Sequence, residues 1–447
     1  MDFIYLLILS IAVYYAAQYV LKFVKIARPV LYLIVGIVMC VVFNFAGTSM
    51  EEIFPNANSY SAYALLLLFL ASGFNMNSKK TKKDEANSAM AALGFIPVYF
   101  EAILMAFILM VVSKLAAEVL GFEITFFESL LVSSILAMSS PAIIVPTSLN
   151  LVSKGYIDKN NIPSQMIGAS LMDNFTPFPL IIIALIAAVA NKVDIEQMVG
   201  TEMNWLIYAA IVGIFIVACI LMILFGVVIG RVLVKIFSPL FVKVVSTGSE
   251  KIFAIVATTL SLVGVAIIVA LYQIPVAGDV FVSFGILIIT AVGATIVKED
   301  KTGGTEKLGV FSNWLFAVIG MPVVFINVGA NLDFGVIASP SLIIVLLIVI
   351  VASVGLKSVA TMFVLRGNKY TVGEKKYAIM CFVPKGVTLI NFGVAFSGIL
   401  ILADMVYLID FMMMLAAIIT LVTMTAGGTI LDKADDRWIF KPEEAIE

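Results

Sequence analysis

Apolar runs of about twenty residues, each closed by a short polar or basic stretch, recur along the whole chain. Each run is long enough to cross a hydrocarbon core of about 30 Å as an α-helix. The pattern predicts thirteen spans, at roughly 3–21, 30–47, 61–76, 87–113, 127–149, 162–190, 203–230, 252–272, 278–297, 310–331, 341–365, 376–400 and 406–430. The first run, Phe3 to Leu21, has no basic leader and no small-residue cleavage site, so it reads as a retained helix. The expected fold class is therefore all-α and polytopic.

Composition agrees: 62% of the 447 residues are hydrophobic and 13% are charged, against about 25% charged in soluble domains. The net charge of −2 gives no field that points to nucleic acid. Cys40, Cys219 and Cys381 are scattered through apolar stretches and suggest neither a disulfide framework nor a metal site. With no His, any proton chemistry falls to carboxylates, Lys, Tyr or water. No cofactor is implied, because neither G-x-G-x-x-G nor a Walker pattern occurs.

Basic residues orient the spans. Odd-numbered connections and the tail hold nearly all of them, for example Lys79, Lys80, Lys82 and Lys83; the even-numbered ones hold only Lys114 and Lys192. A miscounted span would scramble this alternation, so the N-terminus is expected outside and the C-terminus inside. Thirteen spans without a transit peptide fit a multi-pass protein of a prokaryotic plasma membrane.

Glu101, Asp173 and Lys385 fall near mid-span, where a charge costs about 2.5–3.5 kcal/mol on insertion scales. Lys357 lies nearer the inner end of span eleven and reads as snorkelling to the interface. Pro141 and Pro146 in span five, and Pro384 with Gly386 in span twelve, predict helix breaks. Broken helices at mid-membrane need a cavity or a protein surround. Their places, fifth in each six-span half around span seven, predict two inverted repeats with crossing discontinuous helices. Asp173 and Lys385 are then expected where the half-helix ends meet, as a functional pair or as an ion pair that only pins two helices.

These residues resemble the cation:proton antiporter superfamily, and within it the NHA-type sodium/proton antiporters. The likeness is carried by Ser140-Pro141-Ala142-Ile143-Ile144-Val145-Pro146, by Ala169-Ser170-Leu171-Met172-Asp173-Asn174 and by Val383-Pro384-Lys385-Gly386-Val387-Thr388, and more vaguely by Trp314 to Pro322. The resemblance implies a homodimer in a lipid bilayer. It also implies a core (about 87–190 and 341–430) that slides elevator-fashion against a scaffold (about 3–76 and 252–331), with a linker helix at about 203–236. Cation and protons would compete for carboxylates on span six, with Lys385 as the charge partner.

One departure bears on mechanism. The family shows Asp-Asp or Asn-Asp at the span-six motif and binds the ion on the second acid; here Asp173 comes first and Asn174 second. Asp173 then works with the amide oxygen of Asn174, or Glu101 supplies the missing charge, or exchange is lost and Asp173 only neutralises Lys385. The expected function is exchange of a monovalent cation (Na⁺, Li⁺ or K⁺) for protons, without enzymatic chemistry. The expected oxygen ligands are Asp173, Asn174, Glu101, Ser139, Ser140, Thr147 and Ser170. The alternatives are a Na⁺-coupled organic-anion carrier of the same architecture, in which Lys385 meets the substrate carboxylate, and an exchange-defective sensor or pore.

Overall fold

The computed structural model describes residues 2–24, 26, 28–48, 50–54, 60–61, 64, 67, 70, 85–153, 160, 162–174, 176–190, 213, 217, 220–235, 288–289, 291–296, 298–299, 311–312, 314–330, 340–367, 369–385, 400–401 and 403–431. Outside them lie the span expected at 252–272, the break residue Gly386, and the basic stretches at 79–83, 154–159, 243–251 and 301–307.

Among the described residues every regular element is helical. In chain order they are α1 (Asp2–Val20), α2 (Arg28–Ala46), α3 (Met50–Ile53), α4 (Glu85–Leu115), α5 (Ala117–Leu120), α6 (Phe126–Leu136), α7 (Pro141–Ser153), α8 (Ile162–Asp173), α9 (Phe178–Ala190), α10 (Met321–Ala330, entered through a π-helical turn at Phe316–Gly320), α11 (Pro340–Val364), α12 (Val372–Cys381) and α13 (Val406–Leu431). Four stretches among them are long and apolar enough to cross a membrane: Arg28–Ala46, Ala89–Leu115, Pro340–Val364 and Val406–Leu431.

The short helices show where spans are interrupted. Span five divides into α6 and α7, with an irregular stretch at 137–140 between them. Pro141 is the first residue of α7, where its missing N–H is no loss. Pro146 is a correction: it breaks nothing, because α7 runs through it from Pro141 to Ser153. A proline this close to a helix start removes one bond, and the remaining turns hold. Span twelve stops at Cys381, and 382–385 are irregular.

Span six is also divided, between α8 and α9, which the sequence reading did not anticipate. The signal was Thr176-Pro177-Phe178-Pro179: residues before proline are pushed out of the helical region.

The chain forms two compact units, one from Met1–Val24, Tyr32–Lys80 and Val217–Ala330, the other from Lys25–Leu31, Thr81–Ile216 and Asn331–Glu447. In the first, α2 crosses α10 at a pair of glycines. A Cβ on Gly36 would overlap the Ile326 carbonyl oxygen, and one on Gly329 the Leu33 carbonyl oxygen. Gly36→Leu is therefore expected to force the helices apart and lower the detergent melting temperature, since overpacking costs about 1–3 kcal/mol; thermal unfolding against wild type checks this. In the second unit, α4 packs against α6, α8 and α11, and α8 against α7. All the charged residues singled out at mid-span belong to this unit.

Candidate ion and proton site

Where α6 ends, its last carbonyls lose their intrahelical partners and carry the negative end of the helix dipole. Two ammonium groups take that place. Lys385 Nζ donates to Leu136 O at 3.2 Å, and Lys357 Nζ donates to Ala137 O. The break in span five also meets the break in span twelve. Ser139 and Lys385 form an isolated antiparallel bridge, and Ser140 N donates to Pro384 O at 2.8 Å. Two irregular segments thereby hydrogen-bond each other's backbone at buried positions.

The charge pairing differs from the sequence expectation. Lys357 Nζ lies 2.9 Å from both Asp173 carboxylate oxygens and 2.8 Å from Ser139 Oγ. It also sits 4.8 Å from the centroid of the Phe382 ring, within cation–π range. Lys385 Nζ instead reaches Glu101, at 2.5 and 2.6 Å from its two oxygens. Lys357 is 1% exposed, so it does not snorkel; and the nearest carboxylate of Lys385 is Glu101, not Asp173. The reason is tertiary. α4 packs against both α6 and α11, so Glu101 of α4 and Lys357 of α11 bring charges of opposite sign to the α6 terminus. Charge balance was the available signal: two mid-span acids need two bases, and only Lys357 makes up the number.

Both pairs are completed by neutral groups. Ser139 N donates to Asp173 Oδ2 at 2.9 Å, and Ser353 Oγ donates to Glu101 Oε1 at 2.5 Å. Lys385 N donates to Thr423 Oγ1 of α13 at 3.0 Å, which fixes the second break from behind. The turn after α8 is held against α4. Thr176 Oγ1 donates to Gly94 O at 2.8 Å, and Tyr99 OH donates to Thr176 O at 2.8 Å. Asp173 is thus delivered by the last residue of one half-helix to the end of another.

Asn174 stands beside them. Its Nδ2 donates to Ser170 O at 2.7 Å and to Ser139 O at 3.2 Å, which fixes the amide orientation. That leaves Asn174 Oδ1 buried without a hydrogen-bond partner among the described residues, and Ser140 Oγ in the same condition. Burying an acceptor unsatisfied costs about 1–3 kcal/mol. The hydroxyls of Ser170 and Thr147 donate along their own helices, to Ile167 O at 2.9 Å and Ile143 O at 2.8 Å.

Sequence reasoning also passed over Glu128 and Glu374, both buried. Each closes a Thr-x-x-Glu capping box as the third residue of its helix, α6 and α12 respectively. The motif was visible before each apolar run.

An all-helical protein with apolar membrane-length helices, two facing helix interruptions and buried ion pairs at their junction is a membrane transporter in architecture. A family profile described as the sodium/hydrogen exchanger, transmembrane, matches residues 7–431. The chain belongs to the sodium/hydrogen exchanger family, whose members are transporters rather than enzymes. Among solved structures it is similar to the sodium proton antiporter MjNhaP1 from Methanocaldococcus jannaschii at pH 8. That match has 14% identity, covers 97% of each chain and has a TM-score of 0.60, so the fold is shared. Comparison with curated proteins gives no match.

Proposed function

We propose that this chain exchanges one monovalent cation for one proton, with Asp173 as the shared site and Lys357 as the built-in competitor for it. The observation that carries this reading is the Lys357–Asp173 contact beside two unsatisfied oxygens, Asn174 Oδ1 and Ser140 Oγ. Hard alkali cations take oxygen ligands. A cation that enters between the carboxylate, the amide oxygen and the hydroxyl displaces the ammonium. Its arrival leaves one positive charge too many in a buried site, so one proton leaves for each cation that enters. Reversal on the other side of the membrane completes the cycle. Glu101 stays closed on Lys385 and Ser353 and serves the junction rather than the ion. Na⁺ is the cation that family membership favours; Li⁺ and K⁺ suit the same ligands.

The wider frame belongs to the same proposal. It comprises thirteen spans in two inverted six-helix repeats, with the N-terminus outside and the C-terminus inside, in a prokaryotic plasma membrane. The core of 87–190 and 341–430 moves elevator-fashion against a scaffold of 3–76 and 252–331 within a homodimer, through a linker at 203–236. An organic-anion carrier needs an uncommitted cationic group at the junction. Both buried lysines there are committed to carboxylates, which favours cation exchange.

The test is purified protein in liposomes with a pH dye inside and Na⁺, Li⁺ or K⁺ added outside. Cation-driven proton efflux is expected; its absence with all three, for folded protein, rejects the exchanger. The charge count adds a further expectation. Asp173 carries one positive partner in either form, so exchange is electroneutral. Na⁺-driven flux should then be unchanged under an imposed potential of about 100 mV, which is worth about 2.3 kcal/mol per net charge moved. A several-fold change in rate would reject the one-for-one ratio.

A further inference from the structure

The junction is built at the C-terminal ends of two short helices, α6 and α12, and something must set how far each one reaches. We propose that Glu128 and Glu374 are matched positioning residues, each locking the N-terminal end of one interrupted helix to the start of a helix in the other half of the chain. The two locks have the same construction. Thr125 N donates to Glu128 Oε2 at 2.7 Å, and Thr371 N donates to Glu374 Oε2 at 2.7 Å. In return Glu128 N and Glu374 N donate to the threonine hydroxyls, at 3.4 and 3.1 Å.

The second carboxylate oxygen then reaches across the fold. Tyr407 OH, in the first turn of α13, donates to Glu128 Oε1 at 2.6 Å. Asn160, just ahead of α8, donates to Glu374 Oε1 from its backbone N at 3.1 Å and from Nδ2 at 2.9 Å. Asn160 is itself held, by Nδ2 on Lys369 O at 2.9 Å and by Gln165 Nε2 on Asn160 O at 2.6 Å. The spacing from lock to junction is also identical: Thr125 precedes Ser139 by as many residues as Thr371 precedes Lys385, and Ser139 and Lys385 are the residues that bridge.

A capping box alone stabilises a helix end. A box whose carboxylate also grips another helix fixes axial position, and a helix transmits that position along its length. At the far end of α6 are the carbonyls that hold Lys357 and Lys385. At the far end of α12 are Cys381, which is fully buried, and then the second break. Loosening either lock moves the carbonyls and bridge atoms that shape the cation site without touching that site.

Two readouts test this, one independent of transport and one resting on the exchange reading. In a protein that keeps only Cys381 (Cys40→Ala, Cys219→Ala), Glu374→Ala is expected to raise Cys381 modification by a small membrane-permeant thiol reagent about tenfold, the scale of a lost hydrogen bond to a charged group. Glu374→Gln, which keeps one acceptor oxygen, should fall between. Asn160→Ala serves if Glu374→Ala does not fold. In liposomes, Asn160→Ala and Tyr407→Phe should raise the Na⁺ KM at least about threefold while the maximal rate per folded protein stays within about twofold. Unchanged labelling, or an unchanged KM with only a lower melting temperature, overturns the proposal. If labelling responds but wild type itself moves no protons, the exchange reading fails and the locks stand.

Discussion

Asp173→Asn is expected to abolish cation-driven proton flux and to destabilise the protein as well. Asparagine fills nearly the same volume, so the effect is one of charge. Lys357 would keep Ser139 Oγ and Ala137 O as partners but lose the anion that contacts it through both oxygens. Removing one member of a buried pair costs about 3–5 kcal/mol, because the other charge is left uncompensated. At about 1.4 kcal/mol per tenfold, that corresponds to roughly a hundredfold or more in any equilibrium that needs the charged lysine. The two consequences separate in the double variant Asp173→Asn/Lys357→Met. Its melting temperature should recover toward wild type, since no orphan charge remains, while flux stays absent because neither the anionic ligand nor its ammonium competitor is there. Asp173→Asn with full flux would remove Asp173 from the mechanism.

Glu101→Gln is expected to lower stability by a similar amount, about 3–5 kcal/mol, for a different functional outcome. Lys385 would keep Leu136 O at 3.2 Å and one neutral amide oxygen in place of two short carboxylate contacts. Ser353 would lose a charged acceptor for a neutral one. The pair Glu101→Met/Lys385→Met should regain the stability, as apolar replacement of a buried ion pair is often neutral or stabilising. It should also keep measurable Na⁺/H⁺ exchange, because Asp173, Asn174 and Ser140 remain. Thermal unfolding and liposome flux on the same preparations decide the matter. A folded double variant without flux would show that Glu101 itself serves the ion.

Much of the candidate site is legible in the sequence. Asp173, Glu101 and Lys385 stood out because a charge in an apolar run is costly and must be offset. Pro141 and Pro384 marked the interruptions because proline cannot donate to a helix. Asn174 stood out as an amide where relatives carry the acid. The division of span six was equally written in Thr176-Pro177-Phe178-Pro179, although it was not read there.

By itself, then, the sequence determined the medium, the helical class and the stock of charges: hydropathy and proline act locally, and local patterns survive in one dimension. It did not determine which charge meets which. Glu101 lies 284 positions from its partner Lys385, and Asp173 lies 184 from Lys357. The order of contacts around the α6 terminus follows from how α6, α8 and α11 each pack against α4. Only the tertiary structure decided that Lys357 turns inward, that Pro146 is absorbed into a helix, and that Glu128 and Glu374 grip helices far away in the chain. Helix spacing fixes the reach of a side chain, and packing alone chooses what lies within it.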